Sequence, residues 1–149
     1  MGDRAERHAA TQYLFVYGSL RRAAGHPLGM AIGRHATYLS EGWFNGKLYQ
    51  IADYPGAVPS RKASDRVYGE IHALHHSALF AQLDDYEACS PRCPHPHEYR
   101  REPQSVHTAA GQHLVAWVYL YNRPLDESTR ILGGDWLAWL SDQTKAKVR

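Results

Sequence analysis

The titratable residue whose placement says most about chemistry is Glu87. Between Ala78 and Glu87 the apolar residues Leu79, Phe80, Leu83 and Tyr86 recur at helical spacing. Residues 80, 83 and 87 then fall along one stripe of that helix. A carboxylate on an apolar stripe is expensive to ionise unless it is paired, and the negative end of the helix dipole adds to the cost. Both effects raise its pKa and suit it to take up and return a proton near neutrality. The competing reading is a helix that frays at Tyr86 and leaves Glu87 in water. Asp85 points to the opposite, solvent side, and Asp84 sits at the margin.

A second feature is the run Tyr13-Leu14-Phe15-Val16-Tyr17, which ends abruptly in Gly18-Ser19-Leu20-Arg21. A short continuous apolar run is the pattern of a strand buried on both faces. Such a strand feeding a glycine turn is one way to bring bare backbone to a ligand; an ordinary strand-to-turn transition is the other reading. Tyr99 and Tyr121 lie in later strands, where a phenol serves either as a hydrogen-bond partner for a substrate or as core and rim. Arg21 and His26 follow the turn, either near a pocket or on a surface loop. Cys89, Cys93, His95 and His97 form C-x3-C-x-H-x-H, whose residue types suit zinc. The interleaved prolines hold that backbone extended and work against a tetrahedral cage, so no metal is expected. None of the ten histidines has a serine or cysteine partner in sequence that would suggest a catalytic triad.

These residues need elements to position them. Strands are expected at 13–17, 37–44, 47–51, 67–74, 99–108 and 113–121, with Asn45-Gly46 read as a hairpin turn and Tyr54-Pro55-Gly56 as a tight turn. Residues 18–35 read as a loop with a short helical turn around Leu28 to Arg34. Ser77 suits the N-cap of the helix ending at Glu87. Residues 88–98, with three prolines and both cysteines, break regular structure. Pro103 confines its strand to an edge or a bulge. Gly133-Gly134-Asp135 introduces a last helix carrying Trp136, Leu137 and Leu140. Many strands and two or three helices, without strict β-α-β alternation, predict an α+β fold with a curved or barrel-like sheet. One domain over residues 12–142 is expected, between tails at 1–11 and 143–149.

With 149 residues, 44% of them hydrophobic and 21% charged, the chain has the composition of an ordinary globular protein. A net charge of +2 provides no strong field for nucleic acid or anionic lipid. No apolar segment approaches the ~18 residues of a membrane span, and Met1 to Ala10 lack the apolar centre of a secretory leader. Two cysteines do not make a disulfide framework. The expected location is the cytoplasm, with no nucleic-acid or membrane partner, and no feature sets an oligomeric state.

Taken in order, Tyr17-Gly18-Ser19-Leu20-Arg21, Gly46-Lys47-Leu48-Tyr49, Tyr54-Pro55-Gly56, Val67-Tyr68-Gly69-Glu70, Leu83-Asp84-Asp85-Tyr86-Glu87, Tyr99-Arg100-Arg101, Ala116-Trp117-Val118-Tyr119 and Gly134-Asp135-Trp136 resemble the gamma-glutamyl cyclotransferase-like family over roughly residues 13–137. The resemblance implies a small mixed β-barrel with flanking helices and a pocket at its mouth. It implies that the backbone of Tyr17, Gly18, Ser19 and Leu20 binds a glutamyl moiety, and that Glu87 is the general acid/base. Tyr99 and Tyr121 are further candidates for substrate contact. Arg101, in the family's tyrosine-x-arginine position, pairs with Asp84 or with a substrate carboxylate, a structural pair being the expected role. Where family members often have glycine, this chain has Ala88. The implied reaction closes a γ-glutamyl amide to 5-oxoproline and releases an amine, with no cofactor. The alternative is a barrel that binds a small metabolite or a protein partner without catalysis.

Overall fold

The computed structural model describes residues 12–75 and 78–147. Its strands are β1 (Gln12–Val16), β2 (Ala36–Gln50), β3 (Pro55–Pro59), β4 (Arg66–Leu74), β5 (Tyr99–Thr108), β6 (His113–Tyr121) and β7 (Arg130–Ile131). Its α-helices are α1 (Pro27–His35), α2 (Leu79–Tyr86) and α3 (Trp136–Lys147). Strands β2, β4, β1, β6 and β5 pair in that order, and β5 returns to β2 through Gly42–Thr108 and Trp43–His107. The result is a closed five-stranded barrel. Only β1 and β6 are parallel within it, at Leu14–Trp117 and Phe15–Val118. Strands β3 and β7 pair with the far half of β2, at Leu48–Ala57 and Leu48–Ile131. Among the described residues no helix is long and apolar enough to cross a membrane.

The apolar run of β1 is continuous because both of its faces are buried. Phe15 and Tyr17 point into one core, with Phe44, Val67, Ile71, Val106 and Val118. Leu14 and Val16 point into a second core, under the helices, with Ile32, Phe80, Leu83, Tyr99 and Tyr119. Alternate residues of a strand go to opposite faces, so a strand shared by two cores has no polar side. Gly69 lets β4 cross close under β1, since a Cβ there would lie 2.2 Å from the Val16 carbonyl oxygen.

Three expectations from the sequence are corrected. Asn45-Gly46 is not a hairpin turn: β2 runs unbroken for 15 residues through it. The pair instead marks where β2 leaves the barrel and takes up β3. There the Asn45 amide donates to the carbonyls of Ala63 and Asp65, and a Cβ at Gly46 would meet the Phe44 ring at 2.7 Å. The helical turn near Leu28 is a full helix, α1, with the His26 imidazole accepting from the Leu28 N–H at its N-terminus. Helix α3 continues to Lys147, past the boundary expected at residue 142; Asp135 caps it, its carboxylate accepting from the Ala138 N–H. Pro103 pairs with Trp117 on β6, away from the two residue pairs that join β5 to β2. The expected cap Ser77 and the expected tail 1–11 lie outside the described residues.

Candidate active site

Four segments converge on a cavity of about 280 Å³: the turn after β1, the turn before β3, the end of α2 and the start of β5. Tyr17, Gly18, Ser19 and Leu20 line it from one side, Tyr54 and Pro55 from another, Tyr86 and Glu87 from α2, and Glu98 and Tyr99 from β5. Phe15, Val16 and Tyr119 close the floor. No lysine, arginine or histidine is among these lining residues.

Helix α2 ends in a way that aims Glu87 at the cavity. The Cys89 N–H donates to the Asp84 carbonyl (2.9 Å) and the Ala88 N–H to the Asp85 carbonyl (3.2 Å), the paired bonds of a Schellman motif. This stop requires a left-handed residue after the C-cap, and Ala88 supplies it at φ +54°. Glycine adopts that conformation without the Cβ clash that alanine meets. Glu87 itself is the C-cap, its N–H still bonded to the Leu83 carbonyl at 2.9 Å. The helix therefore ends at Tyr86, as the competing reading supposed, yet Glu87 faces the cavity rather than open water.

Burial raises the Glu87 carboxyl from 4.5 to about 8, helped by the negative charges of Glu98 and Asp84. Asp84 is neutralised from the other side: Arg101 donates to both of its oxygens (3.0 and 3.4 Å) and the Tyr119 hydroxyl donates to Oδ1 (2.6 Å). Arg101 also lies over the rings of Phe80 and Trp117, 4.2 and 4.7 Å from their centroids. The guanidinium is thereby held beneath α2 in a structural pair with Asp84.

Tyr17 lines the cavity, but its phenol is engaged by backbone. It donates to the Tyr119 carbonyl (2.6 Å) and accepts from the Ala57 N–H (3.1 Å), tying the turn to β6 and β3. Burial and nearby Glu87 hold its pKa well above the usual phenol value. Tyr99 lines the cavity while its hydroxyl donates to the Pro55 carbonyl (2.5 Å), so its one proton is already committed. Tyr121 is not among the lining residues; its ring packs edge-on against Tyr99, centroids 5.4 Å apart, and its place is behind the wall. The turn after β1 has one internal bond, from the Arg21 N–H to the Gly18 carbonyl (3.1 Å). No acceptor among the described residues takes the N–H groups of Gly18, Ser19 or Leu20. The Ser19 hydroxyl lies 2.9 Å from the Tyr86 hydroxyl, joining the turn to the end of α2.

Arg21 turns away from the cavity. It is buried and pairs with Asp135 (2.9 Å), Glu41 (3.2 Å) and, at 4.0 Å, Glu70. Glu70 accepts from the Arg22 N–H (3.0 Å) and lies 3.3 Å from His72 Nε2, and these contacts hold the segment that follows the turn. His26 packs against Tyr86, ring centroids 4.9 Å apart. The Cys-His set does not converge: Cys89 faces Asp84, Cys93 faces Ser90, and the rings of His95 and His97 stack.

Sequence reasoning missed Tyr54, Pro55, Glu98 and Tyr119 as lining residues. Glu98 sits at the end of an aperiodic stretch, and its only signal was its place directly before Tyr99. Tyr54-Pro55-Gly56 was expected as a tight turn, but Pro55 and Gly56 open β3, paired with Gln50 and Tyr49. The chain bends just before them, where the Ile51 N–H donates to the Tyr54 carbonyl.

The barrel, with its mixed strand pairing and flanking helices, defines a fold class that comparison with known proteins recovers. The family described as Gamma-glutamyl cyclotransferase, AIG2-like, matches residues 14–138. The Gamma-glutamylcyclotransferase family protein YtfP of Escherichia coli K12 is 36% identical over 125 residues, covering 83% of this chain and 95% of that protein. Among solved structures, an uncharacterized protein of Pyrococcus horikoshii superposes with TM-score 0.63 at 23% identity, covering 90% of this chain and 97% of that one. An AIG2-like protein of Mus musculus superposes with TM-score 0.61 at 22% identity, covering 80% and 82%. The chain belongs to the gamma-glutamyl cyclotransferase, AIG2-like family. That membership supports a cyclotransferase-like activity.

Proposed function

We propose that this protein converts a γ-glutamyl amide into 5-oxoproline and a free amine, with Glu87 as general acid/base. What supports the reading is the Glu87 carboxyl in a cavity also lined by Gly18, Ser19 and Leu20, whose N–H groups have no acceptor among the described residues; burial there raises the carboxyl to about 8.

The reaction is intramolecular. The α-amine of the glutamyl moiety attacks its own γ-carbonyl carbon, so the protein's main task is to hold the folded conformer. Glu87 takes a proton from the α-ammonium, the freed amine adds to the carbonyl, and a tetrahedral oxyanion forms. The carbon–nitrogen bond to the leaving amine then breaks as Glu87 returns its proton to that nitrogen. The ring nitrogen, which still carries two hydrogens after the attack, gives up the extra one to the departing amine, which leaves as its ammonium. One carboxyl performs both transfers because its pKa lies near the working pH. Backbone N–H groups of the turn bind the glutamyl carboxylate and stabilise the oxyanion, at ~3 kcal/mol per oxyanion donor. Tyr17 and Tyr99 hold the turn and the Pro55 wall in place through their backbone hydrogen bonds. The partner is a small γ-glutamyl compound and the working compartment the cytoplasm.

The test is to incubate purified protein with a panel of γ-glutamyl amines and peptides and to measure 5-oxoproline. Glu87→Gln should lower turnover by ~10²–10⁴-fold with the circular dichroism spectrum unchanged. Release of 5-oxoproline by the variant at the wild-type rate would overturn the assignment. Ligand binding without product from any compound would point instead to a binding module.

A further inference from the structure

The cavity holds a second acid for which the cyclisation chemistry has no proton-transfer task. Glu98 lines the same cavity as Glu87. Its carbonyl accepts from the Asn122 N–H at 2.8 Å, and its Oε2 accepts from the Tyr54 hydroxyl, so both backbone and side chain are fixed. The other carboxylate oxygen has no partner among the described residues.

A glutamyl moiety brings an α-carboxylate and a γ-carbonyl, which need donors, and an α-ammonium, which needs acceptors. The turn supplies the donors. The phenols of Tyr17 and Tyr99 have given their protons to carbonyls, and no basic side chain lines the cavity. Two acids remain for the ammonium, and Glu87 must be free to accept its proton. Building on the function proposed above, we propose that Glu98 is the anchor for the substrate's α-ammonium group. It makes the site selective for γ-glutamyl compounds whose α-amine is free and charged. A carboxylate beside an ammonium stabilises the charged form, so the anchor strengthens binding while making the proton slightly harder to remove. Its contribution belongs in KM rather than in kcat.

Glu98 also adds to the upward shift that burial imposes on Glu87. The groups that face Glu87 are Glu98, Asp84 with Arg101 behind it, Cys89, Tyr17 and Tyr99. Those that face Glu98 are Tyr54, Tyr99 and Tyr121, with Arg123 beyond them. Removing the Glu98 charge relieves one of the two negative neighbours that push Glu87 upward.

The experiment compares two probes in a Glu87→Gln background, which prevents turnover: L-glutamic acid γ-methylamide and glutaric acid mono-methylamide, which differ in the α-amine alone. Calorimetry at pH 7 should show about tenfold tighter binding of the amine-bearing probe, the scale of one charge-assisted contact. Adding Glu98→Gln should erase that preference and leave the amine-free probe bound within about twofold, which also serves as the folding control. A preference that survives Glu98→Gln overturns the proposal. In the otherwise wild-type protein, Glu98→Gln should raise KM about tenfold, leave kcat within about threefold, and move the acidic limb of kcat/KM to lower pH. Unchanged KM and an unmoved limb also overturn it. Failure of the wild type to form 5-oxoproline would refute the proposed reaction alone, because the binding comparison needs no turnover.

Discussion

Replacing Glu87 by glutamine should make the protein more stable at high pH while removing its activity. The folded carboxyl ionises at about 8 instead of 4.5, so between these values the folded chain holds a proton that the unfolded chain has released. Stability then falls as pH rises through that window, because the unfolded state binds fewer protons. A span of about 3.5 in pH at about 1.4 kcal/mol per unit sets a ceiling of about 5 kcal/mol above pH 8. The cavity opens to solvent, which screens part of this cost, and a gain of about 1–3 kcal/mol is the expected size. Glutamine has nearly the same volume and cannot ionise, so it removes the penalty without opening a hole. The assay is urea unfolding of both proteins at intervals from pH 5 to pH 9. The two stabilities should agree near pH 5 and diverge steadily in favour of the variant as pH rises. Curves that stay parallel across the whole range would show that Glu87 ionises freely in the fold, and the argument for a proton carrier in the cavity would fail.

Catalysis should carry the same signature: kcat/KM for a γ-glutamyl amide should rise with pH to a limb near about 8, where Glu87 becomes a base, and a limb near 4.5 would refute the assignment. Ala88→Gly should stabilise the protein by about 0.5–1 kcal/mol, since it relieves the left-handed alanine at some cost in unfolded-state entropy; thermal melts that shift downward would contradict the Schellman geometry. Gly69→Ala places a Cβ 2.2 Å from the Val16 oxygen and should cost about 3 kcal/mol, read as a drop in the urea midpoint. Glu70→Gln should cost about 3 kcal/mol at pH 7 by leaving Arg21 and His72 short of their buried partner. Burial opposes ionisation of Glu70, but the His72 and Arg22 contacts and the Arg21 charge outweigh it and hold its pKa below 4.5. That stabilisation is present above the ordinary carboxylate range and is lost as pH falls through the depressed value. The gap between wild type and variant should therefore close on acidification.

Much of the site was legible because its residues carry costs that sequence displays. Glu87 stood out as an acid on an apolar stripe, and that stripe survives in Phe80 and Leu83, both buried. The β1 run declared a strand with no polar face, and the two cores account for it. The burial of Glu70, which figured only as part of a motif, and of His72 was not legible within β4, since alternation in a strand does not say that both faces are covered; here each is almost fully buried.

By itself the sequence determined the strands that feed the site, the helix that ends at its acid, and the glycine turn opposite, because periodicity and turn chemistry act over a few residues. It also predicted the family, through short motifs kept in order. Only the tertiary structure decided that Asn45-Gly46 continues a strand, that the phenols of Tyr17 and Tyr99 serve the backbone, and that Glu98 and Tyr54 join the cavity. Those facts depend on which segments meet across 40 or more residues of chain, and closure of a barrel is a long-range event that no local pattern encodes.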